Sequence, residues 1–153
     1  MSQRETYQVE IAGLIRDLPL FEVAPGVRIA IFNMLGDTLV TKVAAAALVE
    51  KMQGTNGGVL LTADDKSIPL VYEMSALTGL PHVILRKAYK PYMGKAISAE
   101  TLSITTGKPQ TLFLDEKDIV LVRDNPVIIV DDVVSTGSTL KAMQAVIDEA
   151  GGT

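Results

Sequence analysis

The sequence predicts an α/β protein, a mainly parallel sheet flanked by helices, and three observations carry that expectation. Short apolar runs (Val59-Leu60-Leu61, His82 to Leu85, Val127 to Val130) alternate with helical stretches. Strands that read as continuous apolar runs are covered on both faces, as in sheets built from βα units. The chain has 153 residues, 48% of them hydrophobic and 21% charged. A chain of about 150 residues buries roughly 70% of its unfolded surface, enough for one core and not for two. The low charge and positive mean hydropathy exclude a disordered chain.

The elements follow in order. Tyr7, Ile11, Leu14, Ile15 and Leu18 recur at helical spacing, Ser2 with Glu5 has the form of a capping box, and Pro19 follows, so a first helix is expected. Pro25-Gly26 is a turn signal, and Val27 to Phe32 is β-branched and aromatic enough for a strand. Asp37 suits the N-cap of a helix in which Val40, Val43, Ala44, Ala47 and Leu48 share one face. Gln53 to Gly58 reads as a loop, Val59 to Thr62 as a buried strand, and Pro69 to Leu77 as a helix that Gly79 closes. After the strand His82 to Leu85 comes a long basic stretch, Arg86 to Glu100. Thr101 to Thr105 and Gln110 to Leu114 predict a hairpin across Thr106 to Pro109. Val127 to Val130 is the last strand, and a helix follows from about Ser138 to Ala150. Gly151-Gly152-Thr153 reads as a helix cap leading toward a further strand, so a C-terminal strand is expected beyond the chain.

Composition narrows the function classes. A net charge of −4 argues against nonspecific nucleic-acid binding, which needs a strongly basic surface. The absence of cysteine excludes disulfides and thiolate metal sites, and a single histidine, His82, excludes a zinc site built on several imidazoles. The polar N-terminus lacks a signal-peptide pattern, and no apolar run approaches the roughly 18 residues of a membrane span. A cytoplasmic protein is expected. His82 opens an apolar strand and reads as structural.

The chemistry concentrates in VIIVDDVVSTGST, Val127 to Thr139. Asp131 and Asp132 follow four apolar strand residues, and a loop of hydroxyls and glycine then opens a helix. Ligands of open α/β sheets bind at the carboxyl ends of strands, and a helix N-terminus presents unpaired N–H groups to a phosphate. Gly137 lets the backbone approach phosphate oxygens, and Ser135, Thr136, Ser138 and Thr139 supply hydroxyl donors. Two acids beside such a cradle make sense as acceptors for the vicinal hydroxyls of a ribose 5-phosphate. A Walker B strand would need a GxxxxGK[ST] loop, which the sequence lacks.

That stretch resembles the phosphoribosyl-pyrophosphate (PRPP) signature of type I phosphoribosyltransferases, and the wider pattern is most similar to adenine phosphoribosyltransferases. Pro25-Gly26-Val27 resembles the start of the family's base-covering hood, expected over about 19–35. Ala63 to Ile68 resembles its pyrophosphate loop, Leu85-Arg86-Lys87 with Lys90 its basic stretch, and Leu102 to Lys108 its flexible catalytic loop. The resemblance implies the type I phosphoribosyltransferase fold and Mg²⁺-dependent transfer of the phosphoribosyl group to a purine, adenine favoured. Magnesium would be held through PRPP and water, with Asp131 and Asp132 as its possible protein contacts, and a homodimer is implied.

Residue by residue, the resemblance gives Asp131, Asp132 and Lys66 catalytic roles. It places the 5-phosphate at Val134, Ser135, Thr136, Gly137, Ser138 and Thr139, and the pyrophosphate at Asp64, Asp65, Lys66, Ser67, Arg86, Lys87 and Lys90. Ile29 and Val133 are expected to sandwich the base, while Tyr89 and Tyr92 could stack on it or merely pack. Three positions depart from the family pattern: Ser67 stands where the family usually has glycine, Thr105-Thr106 where it has an acid–aromatic pair, and around Ala30 the hood departs from the arginine the family usually has there. The alternatives are a xanthine or hypoxanthine/guanine enzyme and a non-catalytic PRPP-binding regulatory domain. The two dozen residues ahead of the hood are fewer than a helix-turn-helix domain needs, which favours an enzyme.

Overall fold

The computed structural model describes residues 4–102 and 109–153. Its centre is a parallel three-stranded sheet in the order β5-β4-β8, formed by β4 (Val59–Ala63), β5 (His82–Leu85) and β8 (Val127–Ile129). All five residues of β4 are buried because the strand has a parallel neighbour on each side, with Leu61 opposite both Val83 and Ile129. Alternation then divides its side chains between two cores. Val59, Leu61 and Ala63 pack with Met143, Val146 and Ile147 of the helix α4 (Ser138–Ala150). Leu60 packs on the other face with Ala45 of α1 (Thr38–Lys51) and with Leu70, Val71 and Met74 of α2 (Ile68–Thr78). Each fully buried leucine here contributes about 1.5–3 kcal/mol relative to exposure.

The helices begin and end where local chemistry dictates. The Asp37 carboxylate accepts the Val40 N–H at 3.0 Å and caps α1. Gly79 closes α2 in the left-handed region, at φ 74°, and donates its N–H to the Ser75 carbonyl at 2.8 Å. His82 is structural: its Nδ1 lies 3.0 Å from the Ser75 hydroxyl and its ring stands edge-on to Tyr72. Among the described residues no helix is long and apolar enough to cross a membrane.

The N-terminal expectation is overturned. The segment predicted as a helix is a hairpin of β1 (Thr6–Ile11) and β2 (Leu14–Ala24), which β3 (Val27–Ala30) extends to an antiparallel three-stranded sheet. Ala12 and Gly13 both have positive φ, 47° and 84°, the geometry of the two-residue turn that matches strand twist. Pro19 does not end an element but pairs with Thr6 inside the ladder. This sheet therefore starts well ahead of the 19–35 span expected for the hood, and β3 stops at Ala30 rather than Phe32.

A second hairpin pairs β6 (Ile97–Leu102) with β7 (Pro109–Leu114), so its first strand begins four residues before the expected Thr101. Residues 103–108, including Thr105 and Thr106 of the expected catalytic loop, lie outside the described residues. A backbone bridge between Arg86 and Phe113 joins it to the end of β5. A short helix, α3 (Ile119–Val122), precedes β8.

Candidate active site

The parallel register brings three carboxyl-end segments to one rim. The loop after β4 carries Asp64 to Ser67, β5 runs into Arg86-Lys87, and β8 runs into Val130 to Gly137. Among the described residues, two cavities on this rim share the acid pair Asp131-Asp132. A polar one of about 250 Å³ has Asp65, Lys66 and Ser67 on one wall, Asp131, Asp132 and Thr139 on another, and Lys87 at its side. An apolar one of about 460 Å³ lies between the N-terminal hairpin and α1, walled by Val9, Ile11, Leu18, Phe32, Met34 and Leu48 among others. Asp131, Asp132 and Val133 belong to both.

The acid pair is held from below. Asp131 Oδ1 accepts the Ser67 hydroxyl at 3.3 Å and the Asp132 N–H at 3.0 Å. Burial pushes its carboxyl above the ordinary range, and the neighbouring Asp132 charge pushes the same way, against the lowering by its hydrogen-bond donors. Ser67, only 3% exposed, thus has an evident task in this chain: its hydroxyl supports the acid across the cavity.

The basic residues are partly engaged already. Arg86 Nε donates to Asp64 Oδ2 at 2.9 Å, and the Lys87 N–H reaches the same oxygen at 3.5 Å. The Lys87 ammonium stands 3.8 Å from Asp65. The Asp64–Asp65 peptide bond is cis. Lys90 does not line the polar cavity; it heads a 3₁₀ turn at Pro91–Met93, where its N–H meets the Met93 sulfur at 3.3 Å. Tyr89 packs, with its hydroxyl donating to the Gly94 carbonyl at 3.1 Å and its ring tilted against Phe113. Tyr92 is exposed.

The loop from Val133 to Thr136 is exposed and ends at Gly137, whose φ of 78° places it in the left-handed region just before α4. A side chain there would meet no protein atom within 4 Å, so the conformation, not packing, calls for glycine. The Ser138 N–H lies 3.4 Å from the Thr136 hydroxyl, which itself pairs with the Ser138 hydroxyl at 3.1 Å.

The structure therefore gathers Asp64 to Ser67, Lys87, Asp131, Asp132 and Thr139 on one cavity, with Arg86 tied to its edge and Val134 to Ser138 in the adjoining loop. Ile29 is not brought to the apolar cavity: it sits on β3 opposite Phe21, 42% exposed. Phe32 and Met34, which follow the end of β3 at Ala30, line the apolar cavity and were not singled out by the sequence as site residues. Gln110, on the polar cavity, had no sequence signal, since only the pairing of β6 with β7 carries it there.

The sequence profile of the phosphoribosyl transferase domain matches residues 34–153. The chain belongs to this family. Its architecture, a parallel sheet flanked by helices, is the type I phosphoribosyltransferase fold. The chain is similar to the purine biosynthesis transcriptional repressor PurR of Bacillus subtilis, 26% identical over 127 residues that make up 83% of this chain and 44% of that protein. It is 33% identical to a hypoxanthine/guanine phosphoribosyltransferase of Methanococcus vannielii over 103 residues, 67% of this chain and 52% of that protein. The chain spans about half the length of these curated relatives. Among solved structures, the adenine phosphoribosyltransferase of Thermoanaerobacter pseudethanolicus matches with a TM-score of 0.70 at 19% identity, covering 88% of this chain and 77% of that one. The Saccharomyces cerevisiae adenine phosphoribosyltransferase matches with a TM-score of 0.72 at 17% identity, covering 89% of this chain and 78% of that one. At such identities the likeness concerns the fold.

Proposed function

We propose that this phosphoribosyl transferase domain moves the 5-phosphoribosyl group of PRPP to a purine base, with Mg²⁺, and releases pyrophosphate. One observation carries the reading: Asp131, Asp132 and Val133 form the shared wall of a polar and an apolar cavity. A ribose whose hydroxyls meet the two carboxylates there has C1 at the boundary between the compartments. Its 5-phosphate lies toward the Val134 to Thr139 loop and its pyrophosphate toward Lys66, Ser67, Lys87 and Arg86. The base fills the apolar side. A ring nitrogen bonds to C1 as the C1–oxygen bond breaks, the electron pair leaves with pyrophosphate, and the purine N–H proton is lost. Lys66 and Lys87 offset the departing negative charge, and the two walls hold the reactants in line.

The donors on the wall, two carboxylates and a hydroxyl, are hard oxygens that suit Mg²⁺, which takes few protein carboxylates and otherwise keeps water and substrate oxygens. When bound, the metal supplies charge neutralisation on the diphosphate. A cytoplasmic setting and a homodimeric state belong to the same reading, and sedimentation velocity checks the second.

The identity of the purine divides the support. The solved structures of like fold are adenine enzymes, whereas curated relatives are hypoxanthine/guanine enzymes. The deciding experiment offers adenine, hypoxanthine, guanine, xanthine, uracil and orotate with PRPP and Mg²⁺ and scores pyrophosphate release. Release with one purine, adenine as the first choice, is the expected result. A pyrimidine as best substrate overturns the purine assignment. A second reading, a PRPP-binding regulatory domain, is favoured by the 83% of this chain that aligns with a transcriptional repressor. Tight PRPP binding with no turnover of any base selects it.

A further inference from the structure

The hairpin over the apolar cavity carries one charge on its inner face. In the β1–β2 ladder Val9 lies opposite Arg16, Ile11 opposite Leu14, and Tyr7 opposite Leu18. Residues directly opposite share a face, and residues two apart along a strand do too. Val9, Ile11, Leu14, Arg16 and Leu18 are therefore the inward set, and all five are half-buried while Glu10, Ile15 and Asp17 are exposed. Val9, Ile11 and Leu18 form the hairpin wall of the cavity. Arg16 stands among them and reaches past them to α1.

Its partner is Asp37. Arg16 Nε donates to Asp37 Oδ2 at 2.7 Å, and a terminal guanidinium N–H donates to Oδ1 at 3.2 Å. A two-point fork of this kind fixes direction as well as distance. Asp37 is itself immobilised, since its carboxylate also caps α1 through the Val40 N–H. The helix it caps supplies the opposite wall, with Ala44, Ala47 and Leu48. Among the described residues no other ion pair joins the β1–β3 sheet to the body of the chain; the Arg28–Glu5 pair links β3 to the residue just ahead of β1.

We propose that Arg16 is a positioning residue for the base: through Asp37 it seats the hairpin on the head of α1 and so sets the width of the apolar cavity. The proposal rests on the reading of that cavity as the base site. Leu18 is two residues from the fork on the same face and Val9 is directly across from it, so a released Arg16 frees the hairpin wall the base would touch. The polar cavity contains neither Arg16 nor any other residue of β1 or β2, and the wall it shares with the apolar cavity, Asp131 to Val133, belongs to the segment after β8, so PRPP binding is expected to change little.

The test compares wild type with Arg16→Gln, Arg16→Lys and Asp37→Asn, the last keeping an oxygen for the helix cap. Base KM and kcat are measured at saturating PRPP, PRPP affinity by calorimetry, and hairpin amide exchange by mass spectrometry. Arg16→Gln raises the base KM about tenfold, the scale of a misplaced binding wall, leaves PRPP affinity within about twofold, and speeds exchange in residues 6–20 but not in β4. Arg16→Lys recovers part of the KM. Asp37→Asn gives the same base defect and adds nothing to Arg16→Gln in the double variant. An unchanged base KM in Arg16→Gln, or an equal loss of PRPP affinity, overturns the proposal. Absence of base-dependent pyrophosphate release in the wild type instead marks the failure of the base-site reading, and removes the proposal with it.

Discussion

Strand β4 and strand β2 stand at opposite ends of the range of burial. Every residue of β4 is buried between two helical layers, while the last four residues of β2 and all of β3 are exposed. Both strands have a partner on each edge, but β4 is also buried on both faces, whereas β2 leaves many residues exposed and, among the described residues, has one ion pair to the body. The difference divides labour within the candidate site. The polar cavity hangs from the rigid sheet and has little freedom to change shape, whereas the apolar cavity has one wall that belongs to the more loosely attached sheet. Under the proposed function, a scaffold of this kind would keep the charged ligand in a fixed place and leave room to vary the base.

The sharpest way to break the comparison is to cut a leucine from each half. Leu61→Ala in β4 should cost about 2–5 kcal/mol of stability through lost burial and a residual cavity. Leu18→Ala, half-buried on the cavity wall, should cost only about 1 kcal/mol and alter base affinity instead. Chemical denaturation of both variants checks this, and equal losses would show that the hairpin is as firmly built in as the sheet.

Next in size are the acids. Asp131→Asn and Asp132→Asn should each weaken PRPP binding by about 1.5–3 kcal/mol, or roughly 10- to 100-fold, measured by calorimetry. Asp131 carries a second expectation. Its carboxyl is raised in the fold, so the folded state binds the proton more tightly than the unfolded chain does, and stability falls as pH rises through that window. Asp131→Asn should therefore raise the Tm of the ligand-free protein at pH 7.5, with a gain that shrinks toward pH 4.

Ser135→Ala should be milder, about 0.5–1.5 kcal/mol of ribose 5-phosphate affinity, because it removes one hydroxyl from the cradle. The smallest effect is on the hairpin side. Asp37 is held at about 2, first by its hydrogen bond from Arg16, so the stability it lends is complete above about pH 4 and disappears as pH falls through about 2. Hairpin amide protection, corrected for the intrinsic pH dependence of exchange, should accordingly stay constant between pH 5 and 8, and a sharp change there would mean that another group governs the seating.

The same division explains what could be read from the residues. The rim at β8 is legible because the run Val127 to Thr139 is self-sufficient: apolar strand, two acids, hydroxyls and a glycine whose left-handed φ the turn requires. The cap at Asp37 and the closure at Gly79 are equally local. The N-terminal hairpin misleads because Tyr7, Ile11, Leu14, Ile15 and Leu18 satisfy a helical spacing, while the inward strand face that forms shares only Ile11, Leu14 and Leu18 with them and adds Val9 and Arg16. The deciding residues, Ala12-Gly13 in a two-residue turn, carry a weak signal without the sheet they close. Phe32, Met34 and Gln110 reach the cavities through long-range packing, which no spacing encodes.

In the proposed transfer, Arg86 has a consequence for turnover. Its backbone is pinned to Phe113 by two hydrogen bonds of 2.8 Å, while its guanidinium rests on Asp64. An incoming anion meets a cation that already has a carboxylate partner. Docking is then an exchange of one negative group for another with the main chain held still, and its gain is the difference between two similar attractions. The Asp64 carboxylate also stays within reach to reclaim the guanidinium, so departure of the anion leaves no bare charge behind. Exchange of this sort favours quick release over tight retention.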